Sequence, residues 1–550
     1  MRPALRWWKE AVFYEIFLRS FMDCDGNGTG DLRGIIGKLD YLKDLGVGAL
    51  WITPFFPSPL HDAGYDVSDY DDVHPEFGTM KDFRELVAEA HRRDLRVILD
   101  LVLNHTSDEH PWFKESRRSK QDPKRDYYIW RPGKDGHEPN NWMSLVGGSA
   151  WELDPATGEY YLHLFSKYQP DLNWNHPMVK KGTFEMVQRW LERGVDGFRL
   201  DVINLLMKPP GLPDATFRPE SGKQDGRYVL DLALYANNPG MHELLHEFRR
   251  DVLVPYKAAT VGEVHFTRAS EAWKYVDPRR MELDMIVQTD ILFDRKGPKY
   301  VKERVKEWFL AFQGRGWNTM ALGNHDTPRM LSALGNDGAF RELSAKLLAV
   351  HIFTSPGTPF LYQGDELGMT NVSFDSMDQY RDIEMRRFYE DLVRQGKSPE
   401  EAFASLRPRS RDNARTPMQW TAGENAGFTT GRPWIGVNPN HKEINAEAQA
   451  RDPDSILNFH RRLLAFRRAH PALIHGSFYP FMEDSEQVVA YSRLWEGKGF
   501  LILCNYCDGE SALESGLVGK GTLALGNYRD LPPDYAARLR PWEARILALE

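Results

Sequence analysis

Cysteine is scarce: Cys24, Cys504 and Cys507 are the only three in 550 residues. So few, and an odd number, do not make a disulfide-stapled secreted chain, and a reducing, cytoplasmic setting is expected. Cys504 and Cys507 have redox-motif spacing, but they lie in a strand-like run with no second cysteine pair to complete a zinc site, so a structural role is expected. No stretch approaches the roughly 18 uninterrupted apolar residues of a membrane span, and the N-terminus lacks the apolar core of an export signal. Neither membrane nor export is expected. Positive charge is not in excess either. With 79 acids against 70 bases the net charge is −9, which argues against a nucleic-acid partner and favours a neutral ligand.

What is present is length, alternation and aromatic side chains. A chain of 550 residues predicts two or three domains, one of them large enough to enclose a deep site. Apolar runs such as Ala49-Leu-Trp-Ile-Thr and Arg96-Val-Ile-Leu-Asp-Leu-Val-Leu alternate with amphipathic stretches such as 80–93. Near-continuous apolar strands between helices imply a parallel sheet covered on both faces, and many such units imply an α/β fold of the (β/α)8 TIM-barrel type. The alternation breaks over 105–175, which predicts an inserted subdomain. It breaks again over about 374–434, where the length predicts a lid. The barrel then takes 1–104 and 176–471, and short alternating runs from 472 to 550 predict an all-β sandwich domain. A monomer is the default expectation.

Three carboxylates end strand-like runs: Asp201 in Gly197-Phe-Arg-Leu-Asp-Val-Ile, Glu263 in Thr260-Val-Gly-Glu-Val, and Asp326 in Gly323-Asn-His-Asp-Thr-Pro-Arg. Cleaving an acetal needs one carboxylate at the anomeric carbon and one carboxylic acid for the leaving oxygen, so the set reads as a glycoside-cleaving site. Strand alternation puts Arg199 on the same face as Asp201, where its charge favours the ionised carboxylate of a nucleophile. Val261 and Val264 flank Glu263 and predict a raised pKa, as a general acid needs. Asp100, Asn104 and His105 end another strand and suit sugar hydroxyls. Asp23-Cys-Asp-Gly-Asn-Gly-Thr-Gly-Asp31 carries oxygen ligands at positions one, three, five, seven and nine of a calcium-type loop. Position twelve is Gly34 rather than Glu, so the loop is no true EF-hand; it still predicts a structural hard cation, Ca²⁺ or Mg²⁺, at Asp23, Asp25, Asn27, Thr29 and Asp31.

These strings resemble the α-amylase family of glycoside hydrolases over nearly the whole chain. Gln169-Pro-Asp-Leu-Asn-Trp-Asn, Gln363-Gly-Asp-Glu-Leu-Gly-Met-Thr-Asn and Ser410-Arg-Asp-Asn-Ala-Arg-Thr-Pro-Met-Gln-Trp are similar to its oligo-1,6-glucosidase and α-glucosidase branch. The resemblance implies a retaining double displacement with Asp201 as nucleophile, Glu263 as acid/base and Asp326 holding ring hydroxyls. It implies a glucose-binding shell of Tyr65, Asp100, His105, Phe165, Arg199 and His325, with Asp62 and Arg415 gripping the non-reducing end. Val202, after the nucleophile, resembles the branch that cleaves α-1,6 bonds. Two departures touch the sugar-contacting walls: Glu263-Val-His-Phe replaces the branch's Glu-Met-Pro-Gly, and Val146 replaces an aromatic residue. The expected activity is exo-acting release of glucose from isomalto-oligosaccharides, with α-1,4 cleavage and transglucosylation open. A glucosyl-transferring isomerase of the trehalose synthase or sucrose isomerase type is the alternative. Non-catalytic ancillary subunits of amino-acid transporters lack the acid set and are disfavoured.

Overall fold

Eight short parallel strands wrap round a common axis, and their burial follows from their composition. They are β1 (Phe13–Ile16), β2 (Ala49–Ile52), β3 (Arg96–Val102), β4 (Gly197–Asp201), β5 (Ala259–Glu263), β6 (Met285–Val287), β7 (Thr319–Met320) and β8 (Thr358–Tyr362). The computed structural model describes residues 6–218, 222–294, 296–519 and 521–549. Hydrogen bonding runs from β6 through β5, β4, β3, β2, β1 and β8 to β7. The remaining seam, β6 to β7, is crossed by Thr319 Oγ1 donating to the Ile286 carbonyl at 3.2 Å, so the barrel is nearly closed. Strands buried on both sides need apolar side chains facing both the barrel interior and the outer helices, hence the continuous apolar runs.

The helices have ordinary sequence punctuation. Leu32–Leu45 is capped by the Asp31 side chain and ends at Gly46, whose φ of 99° is a left-handed stop that glycine adopts without strain. Met80–Arg92 opens with a Thr79/Asp82 capping box. Ile456–Ala469, capped by Ser455, packs on the barrel helix Arg341–Thr354. No helix among the described residues is long and apolar enough to cross a membrane.

Three excursions decorate the C-terminal mouth of the barrel. Between β3 and β4 a three-stranded antiparallel sheet forms from Trp130–Pro132, Glu159–Leu162 and Trp151–Asp154. Between β4 and β5 a hairpin, Gly222–Asp225 with Tyr228–Asp231, hangs over the cleft and bridges to Trp142 through Val229. Its polar residues carry no alternating pattern, and it was not expected from the sequence. The 374–434 segment contains helices Ile383–Arg394, Pro399–Leu406 and Asp412–Arg415.

The C-terminal region is a five-stranded antiparallel sheet plus a two-stranded ladder, Ser511–Ala512 with Arg538–Leu539. One face of the larger sheet buries Val488, Ala490, Leu501, Leu503 and Leu547 against Leu513, Val518 and Leu539. The other adds Tyr491, Ile502, Cys504 and Ile546 to the main core. Cys504 is buried there and all three cysteines are free thiols.

Candidate active site

Arg199 organises the mouth of the barrel. The residue is 1% exposed, and its guanidinium donates through Nη1 to Asp100 at 2.9 Å and to Asp201 at 2.6 Å, and through Nη2 to Glu263. The three acids come from β3, β4 and β5, so one cation ties three consecutive strand ends together. Asp201 and Glu263 bond to neighbouring nitrogens of one planar group and therefore sit side by side on one wall. Directly after Asp201, Val202 has φ 36°, a region that β-branched residues avoid; this turn aims its N–H at Glu263 Oε2, 3.3 Å away.

The second charged group surrounds Asp326. His325 contacts Glu15 through Nδ1 (2.5 Å), and its Nε2 lies 3.1 Å from Asp326 and 2.8 Å from the Tyr65 hydroxyl. Tyr65 stacks on His325 with ring centroids 5.4 Å apart and donates to Asp100 at 2.9 Å, which joins the two groups. Burial alone would push His325 down; Asp326 and Glu15 instead lift it to about 10. Burial would raise Asp326, but His325, Arg415 and Arg411 hold it well below the usual carboxylate range. Burial pushes His105 down, and this neutral ring contacts the Tyr65 carbonyl and Gln169.

Of these groups Asp201, Glu263, Asp326, Tyr65, His105 and Gln169 line one cleft of about 730 Å³, with Asp62, Phe165, Val146, Val202 and His265, while Asp100, Arg199 and His325 are buried and bonded to those side chains. Apolar Leu145, Leu205, Leu230, Leu232, Phe266 and Phe293 and the charged Arg411 line it as well. Two expectations are corrected. Arg415 does not meet Asp62: it is buried and donates to the His325 carbonyl at 2.9 Å and to Asp326 at 2.6 Å. Arg411, one helical turn earlier, faces the cleft and lies 3.6 Å from Asp62 and 3.4 Å from Asp326. The second correction concerns charge. Burial would raise Glu263, but Arg199 and His265 bring it down to about 2. The expectation that Arg199 lowers Asp201 is corrected too: burial pushes Asp201 up against the pull of Arg199. Valine neighbours do not decide the state of Glu263, because a guanidinium from the next strand sits on it.

Sequence reading missed Glu15, Arg411, Glu384 and His265. Glu15 had a signal, a lone acid in the apolar strand Phe13–Ile16. Arg411 lay inside a quoted motif; His265 had been noted only as a departure.

The Asp-rich loop stands apart from the cleft. Carboxylate oxygens of Asp23, Asp25 and Asp31 lie within 4.8 Å of one another, and no Lys or Arg among the described residues pairs with them. Convergent acids without a cation suit a hard metal ion. Asn27 Oδ1 is 2.7 Å from the Thr29 amide. Gly34 stands where an EF-hand has Glu because a Cβ there would lie 1.9 Å from the Met22 carbonyl oxygen.

The comparisons with known proteins agree with this geometry. The pattern of the alpha amylase catalytic domain matches residues 15–476. The chain is 47% identical to oligo-1,6-glucosidase of Parageobacillus thermoglucosidasius, across 98% of each chain. It is 46% identical to trehalose-6-phosphate hydrolase of Bacillus subtilis, covering 92% of this chain and 91% of that one. The trehalulose synthase structure from Pseudomonas mesoacidophila MX-45 superimposes with TM-score 0.92 at 42% identity, covering all of both chains. With a catalytic-domain match spanning most of its length, and strand-end acids gathered on one arginine, this chain belongs to the α-amylase family of glycoside hydrolases.

Proposed function

We propose that the protein is an exo-acting, retaining α-glucosidase that releases glucose from the non-reducing ends of short α-glucosides, with α-1,6 linkages favoured. The observation that carries this reading is a cleft lined by Asp62 and Arg411, 3.6 Å apart, with Asp201 and Glu263 side by side on Arg199. In this reading Asp62 and Arg411 close off the site beyond the glucosyl ring, so that it takes chain ends. An inverting enzyme needs its two carboxyls about 6.5–9.5 Å apart to admit water, whereas a shared guanidinium suits the closer retaining pair.

In this reading Asp201 attacks C1 while Glu263 protonates the leaving oxygen; water then attacks C1 as Glu263 takes its proton. Asp326, kept ionised by His325 and Arg415, accepts hydrogen bonds from ring hydroxyls. Tyr65 offers its face to the sugar. Product profiles from isomaltose, maltose, panose, sucrose, trehalose and trehalose 6-phosphate, with the first-formed anomer read by NMR, test the assignment. Glucose released as the α-anomer, fastest from isomaltose, is expected. β-Glucose would end the retaining mechanism, and rearranged disaccharides as main products would favour the isomerase alternative.

Asp23, Asp25, Asn27, Asp31 and the Thr29 carbonyl would hold Ca²⁺, or Mg²⁺, as a structural ion that neutralises the loop. Chelation is expected to lower Tm while leaving kcat at room temperature little changed; an unchanged Tm would remove the metal from this account. The three free thiols fit a cytoplasmic enzyme.

A further inference from the structure

Both carboxylate oxygens of Glu263 are engaged, each by a different partner. Oε2 accepts from Arg199 Nη2 and the Val202 amide. Oε1 meets His265 Nε2 at 3.0 Å. The backbone of His265 is clamped from the neighbouring strand end: its N–H donates to Asn204 Oδ1 at 3.0 Å, and its carbonyl accepts from Asn204 Nδ2 at 2.7 Å and Thr267 Oγ1 at 2.8 Å. Asn204 is fully buried, and Phe266, next in the chain, has φ 55°. A two-point amide clamp followed by a strained residue fixes the backbone from which the imidazole reaches Oε1.

We propose that His265 is a positioning residue that stores the donor proton for Glu263, so that the two side chains gain and lose it as a pair. This rests on the proposed role of Glu263 as proton donor. In this pairing the proton rests on Nε2 while the cleft is open and water-filled, 3.0 Å from Oε1. When a neutral sugar displaces water, separated charges cost more, and the proton crosses from Nε2 to Oε1. Glu263 then gives it to the glycosidic oxygen as the C1–O bond breaks, both electrons staying on that oxygen, while an Asp201 oxygen bonds to C1. In the second half water attacks C1, the C1–Asp201 bond breaks, and the proton of water returns through Oε1 to Nε2.

The other charges around the pair do not compete for Nε2. Arg199 and Asp201, on β4, are bonded to each other. Asp290 accepts from Trp308 and Asp294 from Tyr300, both beyond β6. Lys223 stands over Phe388 from the hairpin, and Asp326 is bonded to Arg415.

The experiment is the pH profile of kcat/KM for wild type and His265→Gln on isomaltose and on 4-nitrophenyl α-glucoside, with Tm as the folding check. A shared proton makes the alkaline limb a property of the pair; without the imidazole, Glu263 is left to Arg199 and the limb moves to lower pH by at least about 1 unit. Isomaltose turnover at neutral pH then falls at least about 10-fold, and the aryl substrate, whose leaving group needs little protonation, falls several-fold less. An unmoved limb overturns the proposal. A limb that moves upward also overturns it, because an imidazolium that merely held Glu263 ionised would release it toward protonation when removed. Glu263→Gln separates the two readings. If it keeps wild-type isomaltose hydrolysis, the donor assignment fails; if it is inactive while His265→Gln leaves the limb in place, only the pairing fails.

Discussion

Arg199 and Arg493 are the same side chain at the same burial, 1% and 0% exposed, yet they are satisfied in opposite ways. Arg199 faces three carboxylates. Burial would lower it, but Asp100, Glu263 and Asp201 lift it well above its ordinary value. Arg493, where the C-terminal sheet meets the barrel helices, donates only to backbone: Thr354 at 2.6 Å, Ile474 at 3.3 Å and Gly476 at 3.1 Å. Burial pushes it down to about 10. Arg467 beside it does the same for Phe353, Leu473 and Gly357. The junction arginines satisfy carbonyls left over where helices Arg341–Thr354 and Ala472–His475 end. Arg199 instead gathers acids that no stable core would collect. One guanidinium serves three buried carboxylates, with His265 also on Glu263, and such a gathering of acids marks a functional site rather than a core.

The largest test of that contrast is Asp201→Asn. The attacking oxygen loses its charge, and turnover is expected to drop at least about 10³-fold. Because burial already pushes Asp201 toward its neutral form, removing the charge relieves the cluster, and Tm is expected to be no lower than wild type. A folded variant with near-wild-type turnover, or one with a markedly lower Tm, would break the distinction between cleft and junction.

Next come the arginines themselves. Arg199→Met takes the guanidinium from Asp100 and Asp201 and leaves Glu263 to His265, and is expected to lose activity at least about 10³-fold and about 3–5 kcal/mol of stability. Arg493→Met leaves three buried carbonyls unpaired, with an expected loss of about 2–4 kcal/mol in denaturant titration and an unchanged kcat on the folded protein. If Arg493→Met impaired kcat as much as stability, the junction would be coupled to the site.

Much of this architecture was legible from the chain because barrel strands buried on both faces must be apolar throughout, as in Arg96–Val102 and Ala259–Glu263. The strand-end position of the acids was legible for the same reason: Asp201 and Glu263 end runs that otherwise carry core residues. The hairpin Gly222–Asp225 with Tyr228–Asp231 was not, since its first strand is polar and its second is only four residues long, too short a run to read as a strand. Arg411 and Arg415 could not be told apart by spacing; they lie one turn apart, and only the direction of the short helix Asp412–Arg415 decides which faces the cleft. The state of Glu263 was hidden because its controlling charges, Arg199 and His265, come from another strand and from beyond the strand end.

pH sharpens the comparison further. His325 has its folded-state pKa lifted from 6.5 to about 10 by Asp326 and Glu15 against burial. A raised pKa contributes stability that is complete below about 6.5 and is lost as pH climbs through about 10, on the order of 5 kcal/mol. Urea titrations between these limits are expected to show that decline in wild type and in Arg493→Met, with the second curve lower throughout. His325→Gln should flatten it. An alkaline decline that survives His325→Gln would place the sensitivity outside the cleft.

The smallest effect falls on Val202, whose backbone belongs to the charged cluster and whose side chain belongs to the apolar wall. Its amide reaches Glu263 at a φ of 36°, while its methyl groups lie in the cluster of Trp142, Leu205 and Tyr235 and line the cleft. Val202→Thr keeps the branched shape, so the backbone strain and the amide contact are unchanged and only a hydroxyl is gained. The wild-type wall offers the leaving sugar no hydrogen bond at this point. One such bond is typically worth ~0.5–1.5 kcal/mol, so the maltose-to-isomaltose ratio of kcat/KM is expected to shift toward maltose by roughly 3- to 10-fold. Because the charged cluster is untouched, kcat for an activated aryl glucoside should stay close to wild type. A shifted ratio with intact aryl turnover would show that linkage choice is made by the apolar wall alone. A ratio that does not move would transfer that choice to Val146, Val264 or His265, the positions where this chain departs from its relatives' walls or borders the acid.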